Sequence, residues 1–393
     1  MNTRKLKLFF LGRIGLLPRI EAACGREKDI IWFHVASYGE FEEARPVIEA
    51  TRKRFPERKI LLTVFSPSVY EPMKGYDKVD WVFYLPLDTP WNARRFLDAV
   101  RPSKAIFNIG EHWPCLLNEL RRRGIETYIM SVRMEPDSPY LKWYGRLQRR
   151  ILQRCYRCVM VQNQESLRLL KGMGVPEVRV VGDARVDRVV TVCRQAWSDP
   201  VVDRWCDGVK VFVAGSTYPP EDRMLVELAN AHPETKMLII PHEPDPSEIE
   251  DILEGAKNGA VRYTDYAGKK TDDALLGAQI LVVDTVGILS RLYRYGFAAF
   301  VGGGFSGPMP HSVIEPAAYG IPVAFGPRYD RELHCKDLAA LEAGFPVGNQ
   351  QELEFFYEKS LGDRSFLERT GRIAADYCRH SAGATEAIMQ IIF

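Results

Sequence analysis

From Asp29 onward, short apolar runs alternate with stretches whose apolar residues recur every three or four positions. The runs Ile30–Val35, Ile60–Phe65, Trp81–Leu85, Ala105–Ile109, Thr127–Met130 and Cys158–Val161 are rich in β-formers and bounded by turn residues, so they read as strands. Between them, Glu42–Arg54, Trp91–Val100 and Cys115–Arg123 carry helical spacing. Such alternation predicts a mainly parallel sheet with helices on both faces. A second series runs through Lys210–Thr217, Lys236–Pro244, Gln279–Gly287 and Phe297–Val301, and helices over Glu352–Leu361 and Ser365–Arg379 close the pattern. The expected organisation is a basic, apolar segment 1–28, a domain 29–190, a linker 191–207, a second domain 208–375 and a C-terminal helix 376–393.

The first twenty residues are basic and apolar, but Arg13 breaks the run and Pro18 ends it. That is short of the ~20 apolar residues of a spanning helix, and no small-residue cleavage site follows. The segment is either a surface-lying amphipathic helix or a docked terminal one. Eight cysteines with no secretory signal point to reduced thiols. Charge is uneven. Residues 1–190 hold 34 basic against 22 acidic side chains, and the remainder 19 against 29. The first half therefore faces something anionic, and the acidic second half counts against a general nucleic-acid binder. Lys142, Arg146, Arg149, Arg150 and Arg154 recur at helical steps behind Tyr140, Trp143 and Tyr144, a stripe suited to anionic lipid.

In doubly wound sheets, ligands sit beyond the carboxyl ends of the strands. In the first domain that places Ser37, Gly39 and Glu40 after one strand, and Glu111 with His112 and Trp113 after another. Glu40 stands where a catalytic carboxylate would, or merely favours a helix dipole in its first turn. In the second domain, Phe300–Pro327 joins an apolar strand, the glycines 302–304 and His311-Ser312 before a helical pattern. This order suits an anion, with backbone N–H groups near a phosphate and Glu315 on ribose hydroxyls. The alternative is a tight turn with Ser312 and Glu315 as a capping box.

HVASYGEFEEA, FSPSVYE, GEHWP, SVR, VQNQES, VVGDARVD, AGST, IIPHEP, DTVG, VGGGF and HSVIEPAAYGIPVAFGP follow in that order. The set closely resembles the 3-deoxy-D-manno-octulosonic acid (Kdo) transferases. The resemblance implies a GT-B architecture of two doubly wound, parallel-sheet, Rossmann-like domains facing a cleft. It implies CMP-Kdo as donor and a lipid A precursor as acceptor, in lipopolysaccharide synthesis on the cytoplasmic face of the inner membrane, with peripheral attachment. By that resemblance Glu40 is the general base and Glu111 the second catalytic acid. Ser37, Gly39, Ser66, Arg133 and Arg185 fall to the acceptor side. Ser216, Thr217, His242, Asp284, Thr285, Gly287, Gly303, Gly304, His311, Ser312 and Glu315 fall to the donor. The chain departs from the family pattern at Ile109, Arg185, His242-Glu243, Ile288 and Ser312. No cofactor or metal is expected, and no Asp-x-Asp metal signature occurs. A GT-B enzyme using another nucleotide sugar, or a lipid-surface protein that has lost catalysis, stays open as an alternative.

Overall fold

In this computed structural model, residues 3–109, 112–268, 273–305 and 307–393 are described. The chain divides into two compact units, one formed by residues up to Arg188 together with Ser381–Phe393, the other by Val189–His380. Each is built on a seven-stranded sheet whose recorded pairings are all parallel.

The strands of the first unit are β1 (Ile30–Val35), β2 (Ile60–Val64), β3 (Trp81–Tyr84), β4 (Pro102–Asn108), β5 (Glu126–Val132), β6 (Cys158–Val161) and β7 (Val178–Val180). Their spatial order is β3-β2-β1-β4-β5-β6-β7. All six residues of β1 are buried, as the central strand of a sheet covered on both faces requires. The order reverses between β1 and β4, so the crevice at their carboxyl ends is the binding position of this topology.

The N-terminal segment folds as helices Thr3–Leu11 and Leu16–Cys24. Leu16, Leu17, Ile20 and Cys24 are buried in the first core, which is the docked arrangement, whereas Leu6, Phe10, Leu11 and Ile14 stay exposed. Arg13 fastens the first helix to the sheet. Its guanidinium donates to Phe9 O at 3.0 Å, Leu85 O at 3.0 Å and Phe65 O at 2.9 Å, the last two just past β3 and β2. No described helix is long and apolar enough to cross a membrane.

The second unit contains β8 (Val211–Thr217), β9 (Lys236–Pro241), β10 (Ala260–Arg262), β11 (Ile280–Val282), β12 (Gly296–Val301), β13 (Val323–Phe325) and β14 (Gly344–Pro346). Their order is β10-β11-β9-β8-β12-β13-β14, reversing between β8 and β12. The stretch 191–207, expected as a linker, carries the end of helix Ala184–Arg194 and all of helix Pro200–Cys206. Trp205 in it is fully buried and donates from Nε1 to Ala278 O at 2.9 Å. The expected C-terminal helix is two pieces. Arg364–Ser381 lies largely in the second unit, while Ala384–Ile392 buries Ala384, Ile388, Met389 and Ile392 in the first core. Asp187 caps the latter, accepting from the N–H groups of Gly383 and Thr385, the second at 2.6 Å.

Candidate active and donor sites

Past β1 the chain turns into helix Tyr38–Arg54, and Ser37 caps it by accepting from the Glu40 N–H at 3.4 Å. The Glu40 carboxylate folds back, Oε2 accepting from the Ala36 N–H at 2.7 Å. Glu40 therefore takes part in closing the helix start while it stands half-buried at the strand exit. Gly39 is exposed with open space around it. Ser66 caps helix Pro67–Met73 and donates its N–H to Ala36 O at 2.9 Å, which stitches the exits of β2 and β1 together. Glu111 lies outside the described residues.

Behind Glu40 is a buried polar group that the sequence reading did not single out. Asn108, at the end of β4, donates from Nδ2 to Glu40 O at 3.1 Å and to Glu43 Oε2 at 3.0 Å. Burial pushes the Glu43 carboxyl up to about 7, with Arg185 pulling it down, Asp183 raising it and Asn108 pulling it down. Arg185 reaches Glu43 at 3.7 Å and grips buried Asp183, its Nη2 2.7 Å from Oδ2. Arg133, past β5, pairs with Glu135 at 3.2 Å. A fixed guanidinium here can meet a carboxylate or phosphate. The overlooked signal was spacing, since Glu43 stands one helical turn beyond Glu40 and shares its face.

In the second unit the expected donor residues gather at the carboxyl ends of four neighbouring strands. Ser216 and Thr217 end β8, His242 follows β9, Asp284, Thr285 and Gly287 follow β11, and the glycines follow β12. His242 and His311 stack with ring centres 4.4 Å apart, and His311 stacks on Tyr218, whose hydroxyl is 2.9 Å from its Nε2. Burial, aided by His242, lowers His311 to about 4, so its ring is neutral at physiological pH. Asp284 is held by Thr264, accepting from its N–H at 3.0 Å and its hydroxyl at 2.6 Å.

The glycine loop behaves differently from the phosphate cradle suggested by its sequence. Its N–H groups donate within the protein: Gly302 to Gly215 O at 2.9 Å, Gly303 to Glu221 Oε1 at 2.8 Å and Gly304 to Pro308 O at 2.7 Å. Close approach is what demands glycine, for a Cβ on Gly302 would stand 2.1 Å from Ser216 O. The helix that follows is short, Ile314–Ala318, and Val313 rather than Ser312 occupies its cap position. Ser312 O accepts from the Glu315 N–H at 3.3 Å. Tyr218, Glu221 and Arg328 were not anticipated. Arg328 donates to Gly307 O at 2.9 Å, which sets a cation beside the loop. Glu221 is buried and also accepts from the Tyr218 N–H at 3.0 Å; burial raises it to about 7 against those two N–H bonds.

The basic stripe lies on helix Arg146–Arg154, anchored inward by buried Ile151 and Leu152. Lys142, Arg146, Arg150 and Arg154 are exposed, as are Tyr144, Leu147 and Trp143, the last at 88%. Arg149 differs: it donates to Tyr140 O at 2.7 Å and Lys142 O at 2.8 Å, holding the preceding turns.

Residues 10–188 match the family model described as 3-deoxy-D-manno-octulosonic-acid transferase (kdotransferase). The chain is 29% identical to the 3-deoxy-D-manno-octulosonic acid transferase of Aquifex aeolicus over 336 residues, covering 83% of this chain and 84% of that one. It is 24% identical to the Haemophilus influenzae enzyme of the same name over 375 residues, 92% and 86% of the two chains. Among solved structures it is similar to UDP-GlcNAc 2-epimerase from Neisseria meningitidis, with TM-score 0.64, 13% identity and coverage of 93% and 99%. MurG from Acinetobacter baumannii gives TM-score 0.58, 12% identity and coverage of 93% and 99%. Identities this low speak for fold alone, the two Rossmann-like domains of the GT-B class. Residues 10–188 thus carry the domain of the 3-deoxy-D-manno-octulosonic-acid transferase family, and transferases of that name are similar to the chain over most of its length.

Proposed function

We propose that this protein transfers Kdo from CMP-Kdo to a hydroxyl of a lipid A precursor, with inversion and without a metal ion. The observation that carries the reading is where the family's motif residues fall. On the acceptor side Ser37 and Ser66 follow β1 and β2 beside the first switch point, with Arg133 past β5 and Arg185 past β7, and the donor-side residues follow four adjacent strands around the second. Glu40 takes the proton of the acceptor hydroxyl as its oxygen bonds to the anomeric carbon and the bond to CMP breaks. CMP leaves as a phosphate monoester, whose charge fixed cations and dipoles stabilise. Glu111 is the second acidic member. Glu315 holds the ribose, and Ser216, Thr217, His242, His311 and Ser312 surround the nucleotide. Arg133 and Arg185 meet the anionic parts of Kdo or the acceptor.

The exposed stripe with Trp143, Tyr144 and Leu147 supports peripheral attachment to anionic lipid, on this reading at the cytoplasmic face of the inner membrane. The decisive measurement is single-turnover transfer by Glu40→Gln beside titrations with CMP, CDP and UDP. Transfer is expected to fall roughly 10²–10⁴-fold while CMP binding holds. Near-normal transfer by the folded variant would sink Glu40 as base, and preference for UDP would sink CMP-Kdo as donor.

A further inference from the structure

Helices Pro219–Ala231 and Pro246–Gly255 of the second unit enclose a cavity of about 530 Å³, within the range of small-molecule sites. Val226 and Ile252 form apolar wall, and Asp222 and Glu248 also line it. Asp222 is 3% exposed and neither of its oxygens meets a donor in good hydrogen-bond geometry, the Thr217 hydroxyl alone bearing on it, and Glu248 Oε1 is likewise buried and unpartnered. Asp222 and Glu248 are hydrogen-bonding neighbours, so a proton held between the two carboxyl groups joins them. Burial first, and Glu248 second, push Asp222 up to about 8, and Glu248 is raised as well. Nothing in the proposed transfer uses this pair. The anionic donor also leaves the acidity of the second half, 19 basic against 29 acidic side chains, without a purpose.

We propose that the cavity binds a small organic amine, its ammonium seated between Asp222 and Glu248 and its carbon body against Val226 and Ile252. An ammonium supplies the N–H donors that the carboxylates lack, and its single charge fits a pair that otherwise carries one proton. On binding, the bridging proton leaves to solvent and the N⁺–H groups replace it. A divalent ion fits less well, because Mg²⁺ and Ca²⁺ require six or more oxygen ligands, and the lining here mixes the hydrocarbon of Val226 and Ile252 with the cations Arg223 and Lys257.

The test uses the whole chain with hexylamine hydrochloride, 1-hexanol and magnesium chloride as probes. Hexylamine is expected to raise the melting temperature in a saturable way, whereas hexanol and magnesium do not. Calorimetry at pH 7 in phosphate and in Tris should differ in apparent heat because a proton is released. Asp222→Asn should weaken hexylamine binding at least tenfold, and Glu248→Gln, at a less buried position, gives the same reading if Asp222→Asn fails to fold. Equal shifts with hexanol, a larger shift with magnesium, or unchanged hexylamine affinity in the folded variants would each overturn the proposal. The outcome is independent of the transfer reaction, which Glu40→Gln tests separately.

Discussion

Two residues of the donor region respond to pH with opposite sign. Glu221 releases its proton near 4.5 when unfolded but near 7 when folded, so the folded state holds the extra proton between those values. The stability tied to that proton is complete below about 4.5 and is lost as pH rises through 7. Glu221→Gln cannot titrate. Between pH 5 and 8 it should gain about 2–3 kcal/mol relative to the natural protein, read from urea midpoints at the two pH values. His311 works the other way. Its folded value near 4 lies below the ordinary 6.5, so stability falls as pH drops from 6.5 towards 4. His311→Asn should recover ground on the acid side only. Neither effect was legible in the sequence, because both come from burial and not from neighbours in the chain. Glu40, Ser66 and Arg185 were legible, since each follows a strand and strand ends can be read from hydrophobic runs. Asn108 and Asp183 were not, because contact with Glu43 or Arg185 depends on which strands lie side by side.

At the scale of elements, one arginine often decides whether a segment stays attached. Arg13 spends three donors on backbone carbonyls, and its guanidinium lies 3.8 Å from the Phe9 ring centre. Charge-assisted bonds of this kind contribute about 1.5–3 kcal/mol. Arg13→Ala should release helix Thr3–Leu11 to protease while residues 16–24, buried by their own side chains, resist; mass spectrometry of the first cuts reads this. The basic helix divides similarly. Reversing Arg146, Arg150 and Arg154 to Glu should abolish co-sedimentation with anionic vesicles at low salt and leave the melting curve in place. Arg149→Ala should do the opposite, lowering stability by about 1–3 kcal/mol through its two lost carbonyl bonds. Unchanged vesicle binding by the reversed protein would make the stripe an ordinary solvated face. The periodicity of the sequence groups all five cations together and cannot tell which one turns inward.

For the whole molecule, element type was readable and sheet order was not. β1 and β6 coincide with apolar runs evident in the sequence. The three-residue strands β10, β13 and β14 are too short to show a period, and their place in the sheet comes from packing. The helix Ala384–Ile392 is the largest departure. Its spacing shows an apolar face, but nothing local says that the face belongs to a core begun more than 350 residues earlier. Ile388→Ala should cost about 2–5 kcal/mol, and hydrogen exchange should locate the loss in β1–β7 while β8–β14 hold.

That returning helix also sets an order of events during synthesis. The unit begun first is completed after the other, because Ile388, Met389 and Ile392 of its core follow the Val189–His380 unit along the chain. The Val189–His380 unit has its whole sequence available before then. Domains generally fold from the N-terminus as they emerge. Here the nascent chain must carry an incomplete first core, apolar at the place the last helix will cover, through translation of everything between.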